Sequence, residues 1–183
     1  MVKKIICVSG MPGAGKTSII EPLRNKGIPV IVMGDIIREE AAKRGIEPSS
    51  EGLGKIMIEL RKSYGPSIVS KLCLEKIALI NSDTVIIDGV RSLDEVEEYK
   101  RSFSKVLVVA IHASPATRFK RLYNRGREDD PKSWSEFVDR DFRELSIGLG
   151  NVISLADYMI VNEGSIEESR KVFEYIVKVM GSD

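Results

Sequence analysis

Apolar and polar positions fall into blocks of two kinds along the chain. Short, nearly continuous apolar runs recur at about 3–9, 29–32, 84–88, 105–111 and 157–161, and between them apolar residues return every three to four positions. Runs of the first kind suit strands buried on both faces; the intervening segments suit helices that bury one stripe. Helices are expected at about 16–26, from Asp35 to Gly45, twice within 49–80 with a break at Gly65-Pro66, at 92–102, from Pro115 until Pro131 interrupts, onward from Ser133, and at 166–180. Gly27 and Gly45 stop the first two, and Asp35 and Ser133 are starting caps. Strict alternation of strand and helix predicts an α/β, three-layer fold: a five-stranded parallel sheet with helices on both faces. No repeat, low-complexity tract or linker divides residues 1–183, so a single domain is expected. Two helical stretches, 35–80 and 114–145, interrupt the plain alternation. Insertions of this kind sit at the carboxyl ends of the strands, where ligands bind.

The loop after the first strand carries the chemistry. Gly10-Met11-Pro12-Gly13-Ala14-Gly15-Lys16-Thr17, followed by Ser18, fits G-x-x-x-x-G-K-[ST] between a strand and a helix. Glycines let successive backbone N–H groups turn inward around phosphate oxygens, and the helix N-terminus adds positive potential. Lys16 is expected on the β- and γ-phosphates and the Thr17 hydroxyl on Mg²⁺. The pattern predicts binding of a nucleoside triphosphate, ATP, with Mg²⁺.

Composition narrows the rest. The net charge of +1 gives no bulk attraction for nucleic acid or an anionic membrane, and no run approaches the length of a membrane span. The first strand begins within a few residues of Met1, which leaves no room for a leader, and Cys7 and Cys73 lack metal spacing and read as buried, reduced thiols. A cytoplasmic protein is expected, as a monomer or small homo-oligomer. Glutamine is absent and charged residues make up 30%, a bias of heat-adapted proteins.

Asp35 and Arg38 lie one helical turn apart, Asp88 ends the third apolar run with Arg91 just beyond, and Arg118, Arg121 and Arg125 share a helix face ahead of Arg127. With these segments the chain resembles the nucleoside monophosphate kinase family, to which adenylate kinase belongs. G-D-I-I-R (34–38) is similar to that family's G-D-x-x-R, D-G-V-R (88–91) to its D-G-F-P-R with one residue fewer, and R-G-R-E-D-D (125–130) to the R-x-D-D element of its lid. The tail A-D-Y-M-I-V-N-E-G-S-I-E-E (156–168) looks more like dephospho-coenzyme A kinase, and the whole fits best an archaeal-type group related to adenylate kinase.

The resemblance implies phosphoryl transfer from ATP to a nucleoside monophosphate, with 35–80 as acceptor-binding insertion and 114–145 as a short lid that closes by a small helical movement. It implies that Arg38 and Arg91 hold the acceptor's phosphate, that Arg127 clamps the moving phosphoryl with Arg118, Arg121, Arg125 or Arg140, and that Asp35 and Asp88 hold waters on Mg²⁺. Asn162 and Gly164 would form the adenine loop. Glu95 stands where adenylate kinases carry a base-reading glutamine; an ionised carboxylate only accepts hydrogen bonds, which would select an amine or N–H on the acceptor base. Two alternatives stay open: a dephospho-coenzyme A or other small-molecule kinase, and an ATP-hydrolysing switch or assembly factor.

Overall fold

The computed structural model describes residues 2, 4–47 and 49–181. Strands β1 (Lys4–Ser9), β2 (Val30–Val32), β3 (Thr84–Asp88), β4 (Lys105–His112) and β5 (Tyr158–Val161) form one parallel sheet in the order β2-β3-β1-β4-β5. The expected first position of β1, Lys3, lies outside the described residues. Helices α1 (Lys16–Asn25), α2 (Met33–Lys43), α3 (Ser50–Tyr64), α4 (Ile68–Ala78), α5 (Leu93–Ser102), α6 (Pro115–Arg125), α7 (Trp134–Ser146), α8 (Leu149–Ser154) and α9 (Ile166–Gly181) connect or flank them.

Side chains alternate across each strand, which divides the core in two. Ile5, Cys7, Val85 and Ile87 point to one face and pack against α2, α3, α4 and α5; Ile6, Val8, Ile86, Val109 and Ile111 point to the other and meet α1 and α9. Cys7 and Cys73 are buried free thiols, and burial pushes Cys73 up to about 11. Pro22 lies inside α1 and has no N–H for the Ser18 carbonyl. Arg170 of α9 supplies the missing donor, its Nε reaching that oxygen at 2.9 Å.

The register makes the sheet a platform. Val8 pairs with Asp88, and Asp88 with Val32, so the ends of three strands are level where the chain turns into the phosphate loop. Three features differ from the expectation, the first being α6, which ends at Arg125 under a left-handed Gly126 instead of running on to Pro131. Helix α2 starts at Met33, directly on the end of β2. The six-residue α8 was not foreseen, because so short a helix shows less than two turns of periodicity. No helix among the described residues is long and apolar enough to cross a membrane.

Candidate active site

The loop from Gly10 to Thr17 hangs from the carboxyl end of β1, the middle strand of the sheet. Gly10 and Gly15 have φ of 144° and 97°. A Cβ at Gly10 would lie 2.2 Å from the Ile111 carbonyl oxygen, and one at Gly15 would lie 2.3 Å from Asn162 Nδ2. Both positions therefore require glycine, for space as well as for backbone conformation. The loop is braced from below: Ala14 N–H donates to the Met11 carbonyl, while Asn162 Nδ2 (2.8 Å) and Arg121 Nη1 (3.3 Å) donate to that of Ala14.

Helix α1, like α2, α4 and α8, begins without the side-chain cap that opens four other helices. Helices α3, α5, α6 and α7 start under Ser49, Ser92, Ser114 and Ser133, whose side chains accept from the first turn. Helix α1 starts at Gly15, with no side-chain cap and no acidic residue in its first turn. Its first N–H groups and the positive end of its dipole are left to a ligand anion. Lys16 Nζ donates to the carbonyl of Gly10 (2.6 Å) and reaches that of Met11 (3.4 Å). Burial lowers the Lys16 ammonium from its ordinary pKa, against the pull of Asp88.

Asp88 closes the loop from the neighbouring strand. Thr17 Oγ1 lies 3.4 Å from its Oδ2, and its other oxygen, Oδ1, is buried without a hydrogen-bond partner among the described residues. Burial pushes the Asp88 carboxyl up, opposed by Lys16 and Thr17. A buried carboxylate oxygen with nothing to accept, with the Thr17 hydroxyl beside the same carboxylate, suits a hydrated divalent cation. Among the described residues no group of three or more His, Cys, Asp or Glu is placed to hold a metal ion.

Three adjoining chambers run across the strand ends. The first, about 450 Å³, lies over the loop between Gly13, Lys16, Thr17 and Ser18 on one side and Arg121, Arg125, Arg127 and Asn162 on the other. The second, about 140 Å³, is lined by Lys16, Asp88, Arg38, Arg91, Arg125, Arg127 and Arg140. The third, about 110 Å³, lies between α2, α3 and α7, with Arg38, Arg91, Arg140 and Arg143 beside Ile37, Leu53, Met57, Ile58 and Ile147. Arg125 and Arg127 line the first and second chambers; Arg38, Arg91 and Arg140 line the second and third. The structure thus brings the loop, Asp88, Arg38, Arg91, Arg127 and Arg140 to one trough.

It directs other expected site residues elsewhere. Arg118 is buried, makes a two-pronged contact with Asp141 of α7 (2.8 and 2.6 Å), lies over the Phe137 ring and donates to the Pro12 carbonyl. It joins α6 and α7 to the loop and lines none of the three chambers. Arg121 is engaged with the Asn162 and Ala14 carbonyls, at the wall of the first chamber. Asp35 is exposed, spent on Arg38 at 2.7 Å, and lines no part of the trough. Asn162 faces the first chamber, whereas Gly164 lines a separate hollow with Met159 and Val172.

Glu95 departs furthest from its expected place. It is fully buried, accepts from the backbone N–H of Arg91 and of Ser92 in a capping box, and pairs with Arg61 of α3. Its carboxylate fixes the turn that carries Arg91 and ties that turn to the α3 insertion, instead of meeting an acceptor base. Glu95→Ala is expected to destabilise the protein by about 3–5 kcal/mol in denaturant unfolding, since it leaves Arg61 charged, largely buried and unpaired. Glu95→Gln, which keeps the shape of the cap, is expected to lose clearly less.

Sequence reasoning also missed Arg61, Glu144 and the central part of Asp130. Asp130 is buried and accepts from Arg125 Nε (2.9 Å) and the Arg127 backbone N–H (3.0 Å), with Arg140 at 3.5 Å. Burial works against its charge, but these donors hold its carboxyl below the usual range. The run R-G-R-E-D-D carried that signal; nothing local in the sequence marks Arg61 or Glu144.

Residues 9–137 match a family model described as an AAA domain, AAA_17. A UPF0200 protein of Thermococcus sibiricus is 50% identical over 181 residues, covering 97% of this chain and 95% of the relative. Among solved structures, TT1252 from Thermus thermophilus matches with a TM-score of 0.65 at 18% identity, over 97% of this chain and 98% of that one. Shikimate kinase from Bacteroides thetaiotaomicron matches with a TM-score of 0.60 at 18% identity, over 96% and 98%. The fold is that of the P-loop kinases.

Proposed function

The chain belongs to the UPF0200 family and carries an AAA domain of the AAA_17 type, and from that premise we propose that it transfers the terminal phosphoryl group of ATP to a small phosphorylated acceptor, an AMP-like nucleoside monophosphate being favoured. The observation that carries the reading is the continuity of the trough. A triphosphate-sized chamber over the loop opens through an arginine-lined middle chamber into a third with cationic and apolar walls. A hydrolase needs only the first. Two ligands laid end to end, with positive charge gathered where they meet, need all three.

Transfer between them requires positioning and charge neutralisation more than covalent help. The acceptor's phosphate oxygen, already anionic, attacks the γ-phosphorus as the bond to the β–γ bridging oxygen breaks, and ADP leaves with that oxygen. Lys16 and the α1 N–H groups hold the donor's phosphates; Arg38 and Arg91 face the acceptor's phosphate; Arg127 faces the group in flight. Thr17 and Asp88 would hold Mg²⁺, which neutralises charge on the donor. Residues 35–80 then serve as the acceptor insertion and 114–145 as the lid of one kinase domain.

A second reading, a hydroxylated acceptor, draws support from the carboxylates of Asp129 and Glu144 in the third chamber and from the fold shared with shikimate kinase. The test is ADP release from ATP with AMP, CMP, GMP, UMP, dTMP, dephospho-coenzyme A or shikimate as acceptor. A monophosphate is expected to drive release well above the acceptor-free rate. Turnover with shikimate or dephospho-coenzyme A alone would favour the second reading, and an acceptor-independent rate a hydrolysing switch. Arg38→Ala is expected to weaken AMP binding about ten- to a hundredfold and leave ATP affinity nearly unchanged, as for loss of a charge-assisted contact of about 1.5–3 kcal/mol. Equal losses for both nucleotides in calorimetry would remove Arg38 from the acceptor site.

A further inference from the structure

We infer that Glu144, on the lid helix α7, reads a hydrogen-bond donor on the body of the acceptor and thereby selects which acceptor the third chamber takes. The inference rests on the acceptor-kinase reading above and adds a residue for which the sequence carried no signal.

Glu144 is only 8% exposed, yet its Oε2 has no hydrogen-bond partner among the described residues. That oxygen is 3.3 Å from Arg91 Nε, close enough for attraction but not aligned as a hydrogen bond. Its nearest cation is also committed in part elsewhere, since Arg91 Nη1 lies against Met57 Sδ at 2.9 Å. Buried carboxylate oxygens are ordinarily satisfied, and a carboxylate that keeps one oxygen without a hydrogen bond while its residue lines a cavity can turn to take a donor from whatever fills that cavity.

Position decides which part of the ligand arrives there. Arg38, Arg91 and Arg140 line both the middle and the third chamber, so an acceptor's phosphate belongs with them. Glu144 lines the third chamber alone, with Ile147 and Leu53, and therefore meets the remainder of the molecule. An ionised carboxylate accepts and never donates, and it repels a second anion. The acceptor is thus a molecule with one anionic end, an apolar flank and an amine or hydroxyl donor on its body. In a nucleoside monophosphate that donor is either the exocyclic amine of the base or a ribose hydroxyl.

The test is a binding cycle by calorimetry with the full chain: AMP, purine riboside 5′-monophosphate (no amine), and 2′- and 3′-deoxy-AMP, each against wild type and Glu144→Leu. In wild type one analogue is expected to bind about ten- to a hundredfold more weakly than AMP, as for loss of a hydrogen bond to a charged group. The analogue that does so identifies amine or hydroxyl. In Glu144→Leu that ratio is expected to fall to within about twofold of one. A general electrostatic change at Arg91 would shift all four ligands together and leave the ratio alone. Should Glu144→Leu fail to fold, Glu144→Gln serves, with the ratio expected to fall to the about two- to tenfold of a neutral hydrogen bond. A ratio indifferent to residue 144, or no discrimination in wild type, overturns the inference. A wild-type protein that binds none of the four overturns the monophosphate reading beneath it.

Discussion

Lys16→Ala is expected to abolish ADP release while the melting temperature of the ligand-free protein moves by no more than about 2–4 °C. The loop does not depend on this side chain for its shape. Gly10 and Gly15 set its backbone, and Asn162 and Arg121 hold the Ala14 carbonyl from beneath. What Lys16 contributes without ligand is a brace to two loop carbonyls, worth about 1 kcal/mol, or those few degrees in a chain of this size. Loss of a desolvated ammonium offsets part of that cost. With ligand the balance reverses, because Lys16 is the first residue of the uncapped α1 and its ammonium is the cation that acts most strongly on Asp88. A hundredfold excess of ATP over its Kd stabilises a binding-competent protein by about 2.7 kcal/mol. The variant should lose most of that thermal shift together with turnover. ADP release near the wild-type rate would show that this loop is not the catalytic phosphate site.

The parts legible in the sequence were those that local pattern determines. A strand between two others must be apolar on both faces, so β1, β3 and β4 stood out as continuous runs, and the phosphate loop was marked by spacing next to one of them. Asp88 was legible for the same reason, as a carboxylate ending a buried run. Which charge pairs with which was not. Arg118 meets Asp141, 23 residues on, because α6 and α7 fold back on each other around Phe119, Trp134 and Phe137. Glu95 meets Arg61 across 34 residues because α3 docks beside the turn at Arg91. Motif position marks both residues as ligand contacts, and tertiary pairing consumes both. The order of the strands, which sets Asp88 level with Val8 beside the loop, likewise follows from long-range register and no local signal.

Arg127→Ala is expected to lower kcat by about 10³-fold or more while the Kd values of ATP and acceptor, measured separately, change little. The neighbouring arginines already have carboxylate partners: Arg125 is on Asp130, and Arg140 is on Asp129 and Asp130. The Arg127 backbone N–H is tied to Asp130, but its guanidinium pairs with no carboxylate among the described residues. A surface ion pair with Asp129 or Asp130, the ordinary use of such an arginine, is therefore not what this side chain does. Its backbone is fixed, its charge is uncommitted, and it lines both the first and the middle chamber, which the phosphoryl group crosses on the proposed reading. Gly126, in the left-handed conformation at φ 62°, ends α6 just before it and supplies a place for the turn to bend. Arginines delivered to a transferring phosphoryl group contribute about 10³–10⁵ in rate. The charge they meet exists mainly in the transition state, which is why kcat falls and ground-state affinity stays. Arg127→Lys restores charge but not the planar fork and is expected to recover only a fraction of the rate. A kcat within about threefold of wild type for the alanine variant would move the clamp to Arg140, which lines the middle chamber from α7 and is held there by Asp129.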